Sequence, residues 1–392
     1  MTTGTKLAFV PRGSFFCKDG RGWHTSASGR GHGLPWPWPS TVLGALRSAW
    51  GRAEESRTHR AFDRDDWRTR TRDVTLHQLL ALRREHGSSW TRDCRMWPVP
   101  ADAVWMEGQG EVVRLDPAPA TLPTLGRDDD PVREALWRPS PPGDGKPMAR
   151  PQWWGERDFV AWLRGDGVSA QPVETYPTLS HRLQTHVGIR PEEGTADEGV
   201  LFSHDVTETL ESGAEWALGL AAAVPSGGLT NIATLGSDSR LARIETLPDE
   251  VFEPPKALLE SFATQSSETV GLRMVAVTPA CFRRGWLPDG FEATDGEFRG
   301  QWPGMDVPLV LRAACIPRPL HISGWDMALG QPKPTSRMLP PGAVLFLKHR
   351  DGESLRFSEE DVRKLWLAQL GERSEEGYGR FVPGIWHVRR NS

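Results

Sequence analysis

Apolar residues in this chain fall mostly in short runs broken by glycine- and proline-rich stretches, a pattern that predicts many short strands and a few helices. Residues 6–10 (KLAFV) form an apolar run suited to a buried strand. A helix is predicted over 41–53, where Val42, Leu43, Leu46 and Trp50 recur on one face and Arg47 and Arg52 lie on the rest. Pro35, Pro37 and Pro39 hold the preceding chain extended, and Ser40 or Thr41 is placed to cap the helix. Residues 54–73 are polar, without aliphatic periodicity, and read as a mobile insertion. The stretch 74–86 fits an amphipathic helix, although its start could equally be a strand. Residues 96–106 lead into a strand with a hairpin return over 108–117, and 117–152 reads mostly as surface loop rich in Pro, Gly and Asp. A helix follows at 156–164, burying Phe159, Trp162 and Leu163.

The second half is again mixed. Strands are predicted at 178–190 and 199–206, with 215–224 open to either period. A short helix falls at 258–263. Further strands are expected at 272–278, 309–314, 344–347 and 355–357, and a final helix at 358–370, capped by Ser358 with Glu359, Glu360 and Asp361 in its first turn. Strands and helices lack regular βαβ alternation, so the expected class is α+β.

Composition narrows the setting. The 392 residues suit two domains, and 38% hydrophobic with 25% charged residues describes a globular chain. No run approaches the roughly 18 apolar residues of a membrane span, and the N-terminus does not read as a signal peptide. Cys17, Cys94, Cys281 and Cys315 lie far apart with no C-x-x-C pair, which argues against a zinc ribbon or disulfide scaffold and for a reducing cytoplasm. The formal charge of −4 hides a split, with +8 on residues 1–100 and −12 on the remainder. That asymmetry points to an anionic partner near the N-terminus.

Several chemistries are excluded by their motifs. The chain has no G-x-x-x-x-G-K-[ST], H-E-x-x-H, G-x-S-x-G, or H-x-E with P-C-x-x-C. No cofactor or metal is expected: His181 and His186, five apart in a strand, fall on opposite faces, and Asp128–Asp130 read as a solvated loop. His24 and His32 leave open a metal-independent ribonuclease, one acting as base on a ribose 2′-OH and the other as acid. The loop 11–33 favours binding instead. Arg12, Lys18, Arg21 and Arg30 offer phosphate contacts, and Phe15, Phe16 and Trp23 offer stacking faces, as single-stranded RNA requires. Glycine-centred turns at 235–245 and 375–381 add Arg240 and Arg243, and Tyr378 and Arg380.

These segments together resemble a known family. PRGSFFCKDGRGWH followed by PWPWPSTVLGALRSAWG resembles the opening of RAMP-superfamily proteins of CRISPR effectors. MWPVPADAVW, THVGIRPEEGTADEGVLFS, TLGSDSRLARIE, VTPACFRRGWLPDG, HISGWDMALGQPKPTSRMLPPGAVLFLK and EEGYGRFVPGIW then follow in the order of the third subunit of the type III-B CRISPR (Cmr) complex, over about 7–386. The segment around Gly324, Trp325, Asp326 and 332–342 is the most diagnostic. The resemblance implies two ferredoxin-like (RRM-like) domains, here 1–210 with insertions near 54–73 and 117–152, and 211–392. It implies a non-catalytic subunit that grips the 5′ handle of crRNA, beside the large polymerase-like subunit and the backbone RAMP subunit, with no membrane partner. A RAMP-type endonuclease processing precursor crRNA is the rival. The family's RNA contacts map onto Lys18, Arg21, Ser40, Thr41 and Arg47, and onto the turn of Gly377, Tyr378, Gly379 and Arg380. Trp23, His32, Arg240, Arg243 and Arg337 complete the expected RNA-binding set.

Overall fold

A computed structural model of the chain describes residues 2–18, 29–31, 33–118, 136–141, 143, 145–264, 270–327 and 329–388. It is a mixed α/β structure dominated by two antiparallel sheets. The first runs, edge to edge, Ile232–Leu235, Arg240–Thr246, Thr2–Pro11, Ala214–Pro225, Thr75–Glu85, Arg95–Pro98 and Trp153–Gly155. Thr2–Pro11 alternates: Leu7 and Phe9 face the helix Pro39–Thr58 through Val42, Leu46 and Trp50, whereas Ala8 and Val10 face the main core. A strand buried on both faces reads as an unbroken apolar run, as KLAFV does.

The same two-sided burial settles the ambiguous stretches. Residues 74–86 form the strand Thr75–Glu85 and not a helix, and 214–225 is a strand paired to it with Leu79 opposite Leu220. Each of these strands has a neighbour on both sides, with Thr75–Glu85 paired along its length to Ala214–Pro225 and at Ala81 and Leu82 to Arg95–Pro98. No helical alternative there would pair the flanking strands.

The second sheet runs Phe291–Thr294, Glu297–Gly300, Leu309–Cys315, Val344–His349, Val270–Ala276, Arg380–His387 and Ala368–Gln369. All seven residues of Val270–Ala276 are buried. The helix Glu156–Arg164 has the predicted bounds and buries the predicted Phe159, Trp162 and Leu163. It packs between the halves, and a continuous core joins it to Leu80, Trp97, Leu272 and Ile385.

Four local expectations are corrected. Residues 54–73 are built structure: the first helix continues to Thr58, and a second, Arg64–Arg70, begins at Asp63, whose carboxylate accepts from the Asp66 N–H at 2.8 Å. Neither Ser40 nor Thr41 caps the long helix. Trp38 is its N-cap, with Pro39 at the first helical position, where the missing N–H costs nothing. Residues 355–357 form no strand, although Leu355 and Phe357 are buried. The last helix has the expected Ser358 cap but ends at Leu365, because Trp366 turns extended and Leu367 adopts φ 55°.

A long hairpin, Ser180–Ile189 with Ala196–Glu208, stands apart from both sheets. The short strand Gly29–Gly31 adds to it in parallel along residues 202–204.

Candidate nucleic-acid interface

Four segments widely separated in sequence converge on a small satellite core. Phe15 and Cys17 from the first loop, Leu34 and Trp38 from the approach to the long helix, Ile322 and Met338 from the paired strands Leu320–Ile322 and Ser336–Met338, and Tyr378 from the C-terminal turn pack together. This core joins the basic loop, the helix start, the most diagnostic segment and the glycine turn. None of these pieces has enough apolar surface to fold by itself, so each depends on the others for burial.

Several expected site residues therefore do meet. The Ser40 hydroxyl and the Tyr378 hydroxyl are 2.8 Å apart, linking the helix start to the turn. Lys18 is half-buried and its backbone bridges to Gly33. Thr41 is half-buried beside Ser40. Arg47 donates from Nε to the Val74 carbonyl at 3.2 Å. Burial holds its guanidinium below the usual range, partly offset by Glu376 and Glu375. Arg337 alternates outward from buried Met338 and is exposed.

Other placements correct the reading of open contact groups. Phe15 and Phe16 are each 1% exposed and present no free stacking face: Phe15 fills the satellite core, and Phe16 stacks on His204 with centroids 4.2 Å apart. Tyr378 is 0% exposed, with the Arg373 guanidinium 4.7 Å over its ring and burial raising its phenol pKa. Arg380 is buried too. It donates to the Ser374 carbonyl at 3.2 Å, and desolvation lowers its pKa to about 10. Arg243 is bound into a separate ion-pair network with Glu245 (2.6 Å) and Glu215 (3.8 Å), which also holds Arg84 and Trp90. Arg240 donates to Gln184 at 3.1 Å. Arg21, Trp23, His24, His32 and Asp128–Asp130 lie outside the described residues, as does the side chain of Arg30.

Part of the charge asymmetry along the chain is neutralised in space, where bases of the first hundred residues meet acids of the remainder: Lys6 pairs with Asp249, Arg83 with Glu211, Arg84 with Glu215, Arg92 with Glu253 and Arg95 with Glu156. Arg57, Arg60 and Arg70 pair instead with Glu54 and Asp66 of the same segment, which leaves its net charge unchanged.

The turn's glycines have a geometric reason. Gly379 has φ 71°, and a Cβ there would sit 2.0 Å from the Leu370 carbonyl oxygen. Gly379→Ala is expected to lower the melting temperature clearly more than Gly352→Ala. Gly352 has a similar φ of 80° but open space around it, so only the left-handed penalty of roughly 1–2 kcal/mol applies. Scanning fluorimetry of the two variants would check this.

Sequence reasoning missed Arg373, which lies against Tyr378 and ion-pairs with Glu376 at 2.7 Å. It also missed the apolar tip beyond the satellite core, where Trp325 is 54% and Met327 86% exposed. A tryptophan and a methionine in a proline- and glycine-punctuated hairpin were the available signal.

No described helix is long and apolar enough to cross a membrane. The four cysteines are free thiols. Comparison with curated protein sequences returns no match. Among solved structures, the chain is similar to one in the cryo-EM structure of the type III-B Cmr-beta bound to cognate target RNA and AMPPnP. That match has 14% identity, a TM-score of 0.40, and coverage of 87% of this chain and 86% of that one. A chain in the structure of Cmr-beta bound to cognate target RNA gives 13%, 0.40, 87% and 86%. The model of the family described as CRISPR-associated protein (Cas_Cmr3) matches residues 8–386. With that match spanning nearly the whole chain, the protein belongs to the Cas_Cmr3 family.

Proposed function

We propose that this type III-B Cmr effector subunit is a non-catalytic crRNA-binding protein that grips the 5′ handle and bridges the large polymerase-like subunit to the backbone RAMP subunit. The observation that carries the reading is the convergence of the basic loop, the helix start, the hairpin arm and the glycine turn on one satellite core. Exposed Arg337 and Trp325 on that arm supply a phosphate partner and a stacking face, half-buried Lys18 follows Cys17 of the satellite core, and half-buried Arg47 lies near Glu375 and Glu376 of the turn.

The strand orders support two ferredoxin-like halves. In the first sheet, Arg240–Thr246, Thr2–Pro11, Ala214–Pro225 and Thr75–Glu85 lie in the 4-1-3-2 order of a βαββαβ unit. In the second, Arg380–His387, Val270–Ala276, Val344–His349 and Leu309–Cys315 do the same. The first half carries its helix after strand one, Pro39–Thr58, and the second carries its helix before strand four, Glu359–Leu365. A protein neighbour fits the outer face of the long hairpin, where Leu183, Val187, Ile189 and Leu201 are each about half exposed.

The test replaces Lys18, Arg21 and Arg47 with Ala and measures binding of handle RNA by the assembled complex across a salt series. Each lost phosphate contact should flatten the salt dependence by about 0.7 to 1 in log–log slope. Unchanged affinity with unchanged slope would overturn the assignment of these residues.

A further inference from the structure

The sequence reading sees no metal site because the histidines of one strand, His181 and His186, point to opposite faces. The fold gives His186 a different partner. In the long hairpin Gln184 lies opposite His204 and His186 opposite Phe202, which makes His186 and His204 diagonal neighbours on one face. Their rings stack with centroids 4.7 Å apart and planes 17° apart. Asp238 approaches from the turn that follows Ile232–Leu235, with its Oδ2 at 3.8 Å from His204 Nε2. One donor atom from each of the three residues lies within 4.8 Å of the other two.

His204 is 2% exposed, yet neither of its ring nitrogens has a hydrogen-bond partner, and His186 Nε2 is buried and equally unpartnered. A neutral imidazole offers one donor and one acceptor in the plane of its ring, and burying both without partners is unfavourable unless a ligand sits at the ring edges. The surroundings hold the rings in place: Phe16 stacks on His204, and Phe202 stacks on His186 at 5.2 Å. Asp238 is also held, in a left-handed backbone conformation (φ 58°) after Gly236. Gly236 cannot be replaced without conflict, because a Cβ there would lie 2.4 Å from the Phe16 carbonyl oxygen.

The donor set decides the ligand class. A carboxylate beside two imidazoles repels an anion and suits a cation that accepts nitrogen ligands. Arg240 opposes a cation, standing 3.7 Å from Asp238, but its Nη2 also donates to Gln184.

We propose that His186, His204 and Asp238 bind a divalent transition-metal ion, zinc by preference, in a site that staples the long hairpin to the 236–239 turn of the first sheet. Two imidazoles and one carboxylate form a common zinc set, with a fourth position left for water. The donors would close by roughly an ångström to reach bonds of about 2.0–2.2 Å. The ion would also brace the strand Gly29–Gly31, which pairs with residues 202–204. This proposal rests on the fold alone and is independent of the RNA-binding reading.

The test uses the full-length protein, stripped with chelator, titrated with zinc by calorimetry and with cobalt(II) by visible absorption. One equivalent of each ion should bind, and cobalt should give the strong ligand-field bands of a four- or five-coordinate nitrogen and oxygen site. His186→Asn and Asp238→Asn, whose side chains are partly exposed, should each weaken zinc by at least the roughly 10–100-fold that loss of an outer-sphere partner costs. His181→Asn, outside the trio, should leave binding unchanged. Absence of stoichiometric binding, or binding indifferent to both His186→Asn and Asp238→Asn, would overturn the proposal. Neither readout involves RNA, so failure here leaves the proposed function standing.

Discussion

Asp102→Ala is expected to destabilise the protein by about 3–5 kcal/mol, the usual result of stripping one partner from a buried ion pair. Asp102 and Arg273 are both 0% exposed, with Arg273 Nη1 2.7 Å from Asp102 Oδ2. The other Asp102 oxygen accepts from Trp162 Nε1 at 2.9 Å. Arg273 uses its remaining donors on the Ile385 carbonyl, 2.9 Å away, and on the Trp162 carbonyl. The pair thus ties a loop of the first half, the helix between the halves, and two central strands of the second sheet. Removing the carboxylate leaves a guanidinium with no water and no counter-charge. The double change Asp102→Leu with Arg273→Met should recover part of the loss, since matched apolar groups remove the buried charges but leave Trp162 Nε1 without its acceptor. Urea unfolding followed by tryptophan fluorescence checks both, and a single variant within about 0.5 kcal/mol of the parent would show that the pair is dispensable.

Tyr378→Ala should cost about 3–5 kcal/mol, and Tyr378→Phe only about 0.5–1.5. The large change leaves a cavity where Phe15, Trp38, Ile322 and Met338 now meet the ring. The small one removes only the hydroxyl contact with Ser40. Stability and RNA affinity measured together separate two roles for the ring. An exposed stacking platform would give up little stability on truncation while losing about 1–3 kcal/mol of RNA binding. A buried post gives up stability first, and RNA affinity falls because the arm and the turn lose their common support.

How much of this was legible from sequence differs from element to element, for physical reasons. The helix Glu156–Arg164 was read to the residue because its apolar face has a clean 3.6 period and Gly165 ends it at φ 94°. Thr75–Glu85 was ambiguous because a strand buried on both faces leaves no alternation to read. The segment 54–73 was misread because its order comes from a capping box and ion pairs, which produce no apolar stripe. At the candidate interface, residue types and order identified the participating segments but not which way their side chains face. Tyr378, Phe15 and Phe16 carry the chemistry of RNA contacts and are used as core. Trp325 and Met327 look like core residues and are exposed. The metal cluster had no sequence signal, since its members are 18 and 34 residues apart and meet only through a cross-strand diagonal and a strained turn.

The strand-rich mixed class, the absence of any C-x-x-C pair, the ordered segments that define the family and the need for glycine at the turns all follow from the order of residues. Those properties are written in local periodicity, composition and residue order. Which charges remain available depends instead on the folded arrangement. The +8 of the first hundred residues is a count along a line, whereas electrostatic interaction depends on separation in space. Folding brings Glu211, Glu215 and Glu156 of the acidic remainder beside Arg83, Arg84 and Arg95, so the basic segment is partly neutralised before any RNA arrives.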